Sequence, residues 1–267
     1  MNPIRTSLII AAALLAGSSA VARAAGPTPL PRAHAHNDYE HTRPLVEALE
    51  NGFCNVEADV WLVEGRLLVA HDLKNVKPER TLASLYLDPL RERVLRNGGR
   101  VFAGGPPVVL LIDVKSDAAA TYAALHDVLK GYADILTSFR GASVEAKAIT
   151  VVVSGNRAVA EMAAQPLRFA AVDGRSGDLE TNPPAQLVPW VSENWQKLFA
   201  WRWQGAMPEK DRTALHQFVT KAHAQKRQVR FWNTPDQPEA WKILLDAGVD
   251  IIGTDDLAGL SKFLAPR

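Results

Sequence analysis

From residue 30 onward the chain alternates two hydrophobic rhythms. Short apolar runs with a two-residue period fall at 32–37, 53–62, 106–116, 148–156, 167–174, 185–194, 228–233 and 249–256. Longer stretches with helical spacing lie between them, at 42–52, 81–99, 117–136, 157–165, 212–227, 238–248 and 257–265. A ninth short run, 66–72, follows the second strand across the turn Glu64-Gly65 and reads as the return arm of a hairpin. In the first helical stretch Thr42 is placed to cap, Pro44 suits the first turn and Gly52 closes it.

Strands that alternate with helices pair in parallel through right-handed crossovers. Eight such units favour a closed α/β barrel of the TIM (β/α)8 type over an open doubly wound sheet. No G-x-G-x-x-G turn follows any strand, which weakens a dinucleotide-binding reading. The segment 181–186, Thr-Asn-Pro-Pro-Ala-Gln, reads as a long loop and not a boundary, so residues 25–267 form one domain.

Residues 1–24 stand apart. Arg5, an apolar run from Leu8 to Ala16 and the small-residue ending Ala22-Arg23-Ala24 have the layout of a removable signal peptide. The run is too short to span a bilayer comfortably. The expectation is an exported protein, periplasmic or secreted. What remains is close to the ~250 residues of a single α/β barrel. A formal net charge of +1 argues against nucleic acid as a partner, since tracking phosphates needs a basic surface. Cys54 is the only cysteine and sits among apolar neighbours, so it reads as a buried structural thiol.

In a parallel barrel the chemistry gathers at the C-terminal strand ends, and polar residues collect there: His34 to Asn37, Glu57 and Asp59, Asp113 and Lys115, Asp173, Glu193 and Asn194, Trp232 and Asn233, Thr254 and Asp255. Side chains of a strand alternate between faces. Asn55, Glu57, Asp59 and Trp61 therefore share one face of the second strand, with Cys54, Val56, Ala58, Val60 and Leu62 on the other. Glu57 and Asp59 stand roughly 7 Å apart along it. Val109, Leu111, Asp113 and Lys115 share one face of the next strand. Three carboxylates from adjacent strands make an all-oxygen site for one hard divalent ion, Mg²⁺ or Ca²⁺. Simple pairing with Lys115 and arginines is the competing account, and from sequence it explains one acid and not three. His71, at the end of the hairpin, returns toward His34 and His36. Two imidazoles beside a divalent ion suit acid–base work on a phosphate ester, with Lys115 neutralising phosphoryl charge. His34 is favoured, and His36 is kept as a second catalytic or orienting group. Asn37 and Trp232 join Lys115 as expected substrate contacts. His41, His126, His216 and His223 read as loop, cap, solvated or core-edge groups.

Taken together, the strand-end histidine, G-x₄-E-x-D over Gly52 to Asp59, the His71-Asp72 pair, the carboxylate-bearing run 110–116, Phe231-Trp232-Asn233 and the run 251–256 resemble the glycerophosphodiester phosphodiesterase-like superfamily of PLC-like phosphodiesterases. The opening run 34–41 is most similar to the branch named for altered inheritance of mitochondria protein 6. The resemblance implies a TIM-barrel phosphoric diester hydrolase with one Mg²⁺ or Ca²⁺ held by Glu57, Asp59 and Asp113. It makes His34 and His71 the acid–base pair, Lys115 a phosphate contact, and Trp232 part of the substrate end. Glycerophosphodiesters or phospholipid head groups are the expected substrates, attacked by water or by a neighbouring substrate hydroxyl. A transient membrane-surface contact stays open and no nucleic acid is expected. The chain departs from the glycerophosphodiesterase proper in having His34-Ala35-His36 in place of His-Arg-Gly, and Asp113 in place of the usual glutamate. Its D-x-K spacing is similar to sphingomyelinase D-type phospholipases, without their cysteines.

The alternatives are a catalytically inactive barrel that binds head groups through a metal, and a glycosidase. Glu57 and Asp59 on one strand are badly placed to flank a glycosidic bond. Trp190, Trp195, Trp201 and Trp203 could stack on sugars or rim a lipid site, with core packing ranked first.

Overall fold

The structure, a computed structural model, describes residues 26–265, so the leader expected over 1–24 lies outside the described residues. Its strands are β1 (Leu30–Ala35), β2 (Phe53–Val63), β3 (Arg66–Val69), β4 (Val108–Val114), β5 (Ser138–Arg140), β6 (Ser143–Glu145), β7 (Ile149–Gly155), β8 (Ala170–Gly174), β9 (Trp190–Asn194), β10 (Gln228–Trp232) and β11 (Ile251–Thr254). The helices are α1 (Val46–Glu50), α2 (Asp88–Arg96), α3 (Ala118–Lys130), α4 (Val159–Ala164), α5 (Asp178–Thr181), α6 (Trp195–Leu198), α7 (Glu209–Ala224), α8 (Pro238–Asp246) and α9 (Leu257–Leu264). Strands β1, β2, β4, β7, β8, β9, β10 and β11 pair in parallel in that order, and β11 pairs back onto β1. The eight-stranded barrel expected from the alternation is therefore closed. β3 runs antiparallel to β2 behind the turn at Glu64 and Gly65, both at positive φ.

Two apolar layers follow from the two faces of each strand. Cys54, Val56, Ala58 and Val60 of β2 face the helices within the large outer core. Leu111, Val152, Ala171, Trp190 and Ile251 fill the barrel itself, together with Phe139. Phe139 comes from the β5–β6 hairpin, which sequence periodicity left unassigned. Leu136 bridges to Ile149 at the N-terminal end of β7, so the hairpin plugs the end of the barrel opposite the strand C-termini. Trp195, Trp201 and Trp203 stack on one another and on Phe199 and Phe231, with Trp195–Phe199 centroids 4.3 Å apart. Core packing thus accounts for the tryptophan-rich stretch. Cys54 is buried, and burial pushes its thiol up to about 12, as expected of a structural group.

The first helix begins later than its sequence signals suggest. Thr42 does not cap it; α1 starts at Val46 after Leu45, at φ 63°. A short 3₁₀ turn, Asp38–Glu40, swings the Asp38 carboxylate beneath that start instead. Asp38 Oδ2 accepts the Leu45 N–H at 2.5 Å and the Tyr86 hydroxyl at 2.9 Å, and Oδ1 is buried without a partner. Gly52 does close α1 as expected, at φ +83°, where a Cβ would lie 2.2 Å from the Thr28 carbonyl oxygen.

Burial pushes Asp38 up to about 6, against the lowering effect of its two hydrogen bonds. The unfolded carboxyl ionises near 3.8. Between those values the folded chain binds more protons, so this group's stabilisation is full below about pH 4 and fades as pH rises through about 6. Relative to Asp38→Asn, the wild type is expected to lose on the order of 1 kcal/mol between pH 5 and 7. Urea unfolding of both proteins at the two pH values checks this; parallel pH dependences would contradict it.

Candidate active site

Parallel register sets Asp59 of β2 directly beside Asp113 of β4, with Glu57 one inward step below Asp59. One carboxylate oxygen from each lies within 4.8 Å of the other two. Gly155, at φ +66° at the end of β7, makes room for this: a Cβ there would lie 2.2 Å from Asp113 Oδ1. Three acids this close and this buried need compensation, and each finds some. Glu57 Oε2 accepts from Arg230 Nη2 at 2.8 Å and lies 2.7 Å from His34 Nε2. Burial would raise its carboxyl, but Arg230 and His34 outweigh that and hold it well below the usual range. Lys115 Nζ stands 3.0 Å from Asp59 Oδ2 and 3.2 Å from Asp113 Oδ1. Pairing with cations therefore reaches all three acids, more than sequence spacing implied. Burial still pushes Asp113 up to about 6, with Lys115 opposing and the charges of Asp59 and Glu57 adding to the rise. Asp59 is raised by burial as well, and Lys115 only partly offsets it. For Lys115, burial is outweighed by Asp113 and Asp59, which hold its ammonium charged.

The histidines occupy three different settings. His34 lies one layer below the acids, paired in register with Asn55 and Gly253, and is fully buried. Glu57 is its polar contact, and its Nδ1 is buried without a partner. Burial, reinforced by Arg230, lowers it to about 4, so the imidazole is neutral near pH 7. His36 follows β1 and is partly exposed, with Nδ1 2.8 Å from Asp255 Oδ1. Burial pulls its pKa down, but the Asp255 hydrogen bond and the Glu57 charge together raise it. His71, 55% exposed, turns Nδ1 inward to Asp59 Oδ2 at 3.1 Å. That leaves its Nε2 toward the mouth of the barrel. The hairpin thus brings His71 to the acids, while His34 and His36 diverge in depth. Among the other histidines, His41 sits 3.7 Å from Glu47, His126 stacks on Phe169, and His223 pairs with Asp250.

Two residues that join the site were not singled out by the sequence. Tyr39 is buried, with its hydroxyl 2.6 Å from Asp59 Oδ2, 2.8 Å from Asn37 Oδ1 and 3.1 Å from His71 Nδ1. Burial and the adjacent Asp59 raise its phenol well above the usual range. Asn37, at φ 48°, thus spends its side-chain oxygen on Tyr39. The second is Arg230, on the inward face of β10. Trp232 shares that face, and Arg175 lies over its ring at 5.0 Å. Arg230, Trp232, His36, Asn233, Thr254 and Asp255 line a recess of about 210 Å³ beside the acids.

The donor set fits a hard divalent cation. Three carboxylates converge from adjacent strands, and Asp59 Oδ1 is buried there with no hydrogen-bond partner. Among the described residues no helix is long and apolar enough to cross a membrane.

The profile of the AIM6-like phosphodiesterase domain matches residues 23–169, and that of the glycerophosphoryl diester phosphodiesterase family matches residues 228–258. Altered inheritance of mitochondria protein 6 of Eremothecium gossypii is 32% identical over 284 residues, covering 92% of this chain and 73% of that protein. Its namesake in Lachancea thermotolerans is 32% identical over 276 residues, covering 85% and 64%. Among solved structures, an Oleispira antarctica phosphodiesterase in complex with the product sn-glycerol-3-phosphate aligns with TM-score 0.54 at 15% identity, covering 88% of this chain and 98% of that one. A glycerophosphodiester phosphodiesterase of Parabacteroides distasonis aligns with TM-score 0.53 at 16% identity, covering 89% and 98%. These two likenesses concern the fold, and they agree with the barrel read from the alternation.

Proposed function

The chain belongs to the AIM6-like phosphodiesterase family, and from that membership and the site's geometry we propose that it is a metal-dependent phosphoric diester hydrolase. Its substrates on this reading are small glycerophosphodiesters or phospholipid head groups. The observation that carries the reading is the convergence of Glu57, Asp59 and Asp113 on one point with His34 and His71 each bonded to one of those acids. Glu57, Asp59 and Asp113 would hold one Mg²⁺ or Ca²⁺. When bound, such an ion supplies Lewis-acid neutralisation of phosphoryl charge.

The chain's own groups supply the rest. Neutral His34 donates Nε2–H to ionised Glu57, so its lone pair lies on Nδ1, the atom at which it would take the proton of the attacking hydroxyl. His71, fixed by Asp59 through Nδ1, presents Nε2 to protonate the leaving oxygen. Lys115, already drawn toward the acids, is placed to meet a phosphoryl oxygen. Trp232 and Asn37 stand at the substrate end. The leader-like pattern of residues 1–24 supports an exported location.

Release of product from a panel of diesters, with and without EDTA, tests the reading. Hydrolysis is expected to vanish on chelation, to return with Mg²⁺ or Ca²⁺, and to fall about 10²–10⁴-fold in His71→Ala or His34→Ala. Hydrolysis that survives chelation and both substitutions would sink the proposal. The burial of His34 on Glu57 favours one rival, a barrel that binds head groups without turnover. That rival predicts metal-dependent binding of the diesters with no product from any of them.

A further inference from the structure

We propose that Arg230 binds a non-bridging phosphoryl oxygen of the substrate, delivering a fixed cation from β10. This rests on the diester-hydrolase reading for its catalytic consequence, but the contact itself stands on geometry.

A buried guanidinium in a folded chain normally spends its donors. The described residues include an internal comparison only three positions away. Arg227 is 2% exposed and every one of its nitrogens is placed: Nε on Gln225 at 3.2 Å, Nη1 on the Val188 carbonyl at 2.6 Å, and Nη2 on Asn182 at 3.0 Å and on the Pro183 carbonyl. That is a structural arginine. Arg230 is equally buried, at 4%, and differs in each respect. Among the described residues its hydrogen bond is a single one, Nη2 to Glu57 Oε2 at 2.8 Å, and Glu57 shares that oxygen with His34. Its Nε is buried and has no hydrogen-bond partner.

An arginine that served only to neutralise Glu57 gains most by forking both edges of the carboxylate. Here it meets one oxygen through Nη2, and its Nε–H is left for a second oxyanion. The side chain lines the recess that also holds His36, Trp232 and Asp255. Lys115, just past the end of β4 on the opposite side of the barrel, reaches the other two acids, Asp59 and Asp113. A phosphodiester has two non-bridging oxygens. Arg230 on one and Lys115 on the side of the other would clamp it over the acids, with His71 at the mouth. The unpaired Nε then has a function: it is satisfied only when the anion arrives.

The test uses inorganic phosphate in EDTA, so that no change in metal binding enters. Arg230→Lys keeps a positive charge beside Glu57 but loses the planar fork. Phosphate affinity by calorimetry is expected to fall at least tenfold in that variant, with an unchanged melting temperature. A second measurement needs no variant: in wild-type protein carrying ¹⁵N-arginine, phosphate is expected to shift a protected Nε–H resonance. With an active diester substrate, Arg230→Lys is expected to lose about 10²-fold or more in kcat and to lose the preference between Rp and Sp phosphorothioate diesters. Phosphate binding as tight as wild type, or no shifted Nε–H resonance in the wild type, overturns the proposal and leaves Arg230 as a structural partner of Glu57. Phosphate binding that depends on Arg230 without hydrolysis of any diester would defeat the hydrolase reading while sustaining this one.

Discussion

Glu57→Ala is expected to destabilise the fold by about 3–5 kcal/mol, because it strands a buried guanidinium. Among the described residues Arg230 has no other hydrogen-bonded carboxylate, and His34 Nε2 loses its partner in the same stroke. Both side chains are buried, His34 at 0% and Arg230 at 4% exposure. The intact pair is not thereby a source of stability. Desolvating two charges costs about what their attraction returns, so exchanging both for apolar groups of like volume is often neutral. The expected pattern is therefore asymmetric. Glu57→Ala alone is severe, Glu57→Leu with Arg230→Met recovers much of the loss, and neither retains phosphodiester hydrolysis. Urea unfolding of the two variants beside the wild type checks this. A cost below about 1 kcal/mol for Glu57→Ala would mean that water or another anion already compensates Arg230.

That asymmetry bears on what the sequence could disclose. Alternation along β2 and β4 placed Glu57, Asp59 and Asp113 on inward faces, and parallel register completed the cluster, since period and register are local rules. The same rule, applied to Gln228, Arg230 and Trp232 on β10, would have placed Arg230 inside the barrel too. Two things hid it. Arg230 sits mid-strand between Val229 and Phe231, away from the strand ends where the polar groups of a parallel barrel gather. Its partner lies 173 residues away, across a barrel in which β10 and β2 are not neighbours. Tyr39 was obscured for a related reason: it falls in a 3₁₀ turn with no period to follow, and only the return of the β3 hairpin brings Asp59 and His71 to its hydroxyl. Alternation gives His34 its face but not its depth. Depth comes from the stagger of β1 against β2 and β11, where it pairs with Asn55 and Gly253. The Asp38 cap and the Phe139 plug are likewise tertiary facts, contacts that segments make only once the barrel has closed.

Asp59 is where the scaffold and the proposed chemistry meet, and Asp59→Asn is expected to lower kcat about 10³-fold or more while leaving the fold in place. One oxygen, Oδ2, receives Tyr39, Lys115 and His71 at once. An amide put there can satisfy either the hydroxyl or the ammonium through its oxygen, but its NH₂ cannot accept the His71 Nδ1–H. The imidazole is then free to rotate or to hold its proton on the wrong nitrogen, the error that costs about 10⁴ when the orienting carboxylate of a catalytic triad is made an amide. Loss of one of the three proposed cation ligands would add to it. The argument makes a sharper demand than a single rate. If Asp59 works through His71, the two act as a unit, and Asp59→Asn combined with His71→Ala should be little slower than the worse of the two alone. If Asp59 works only by holding a cation, the two losses should multiply. Kinetics of the two single variants and the double variant at saturating Mg²⁺ separate these outcomes, and full multiplicativity would detach His71 from the acids that the hairpin brings it to meet.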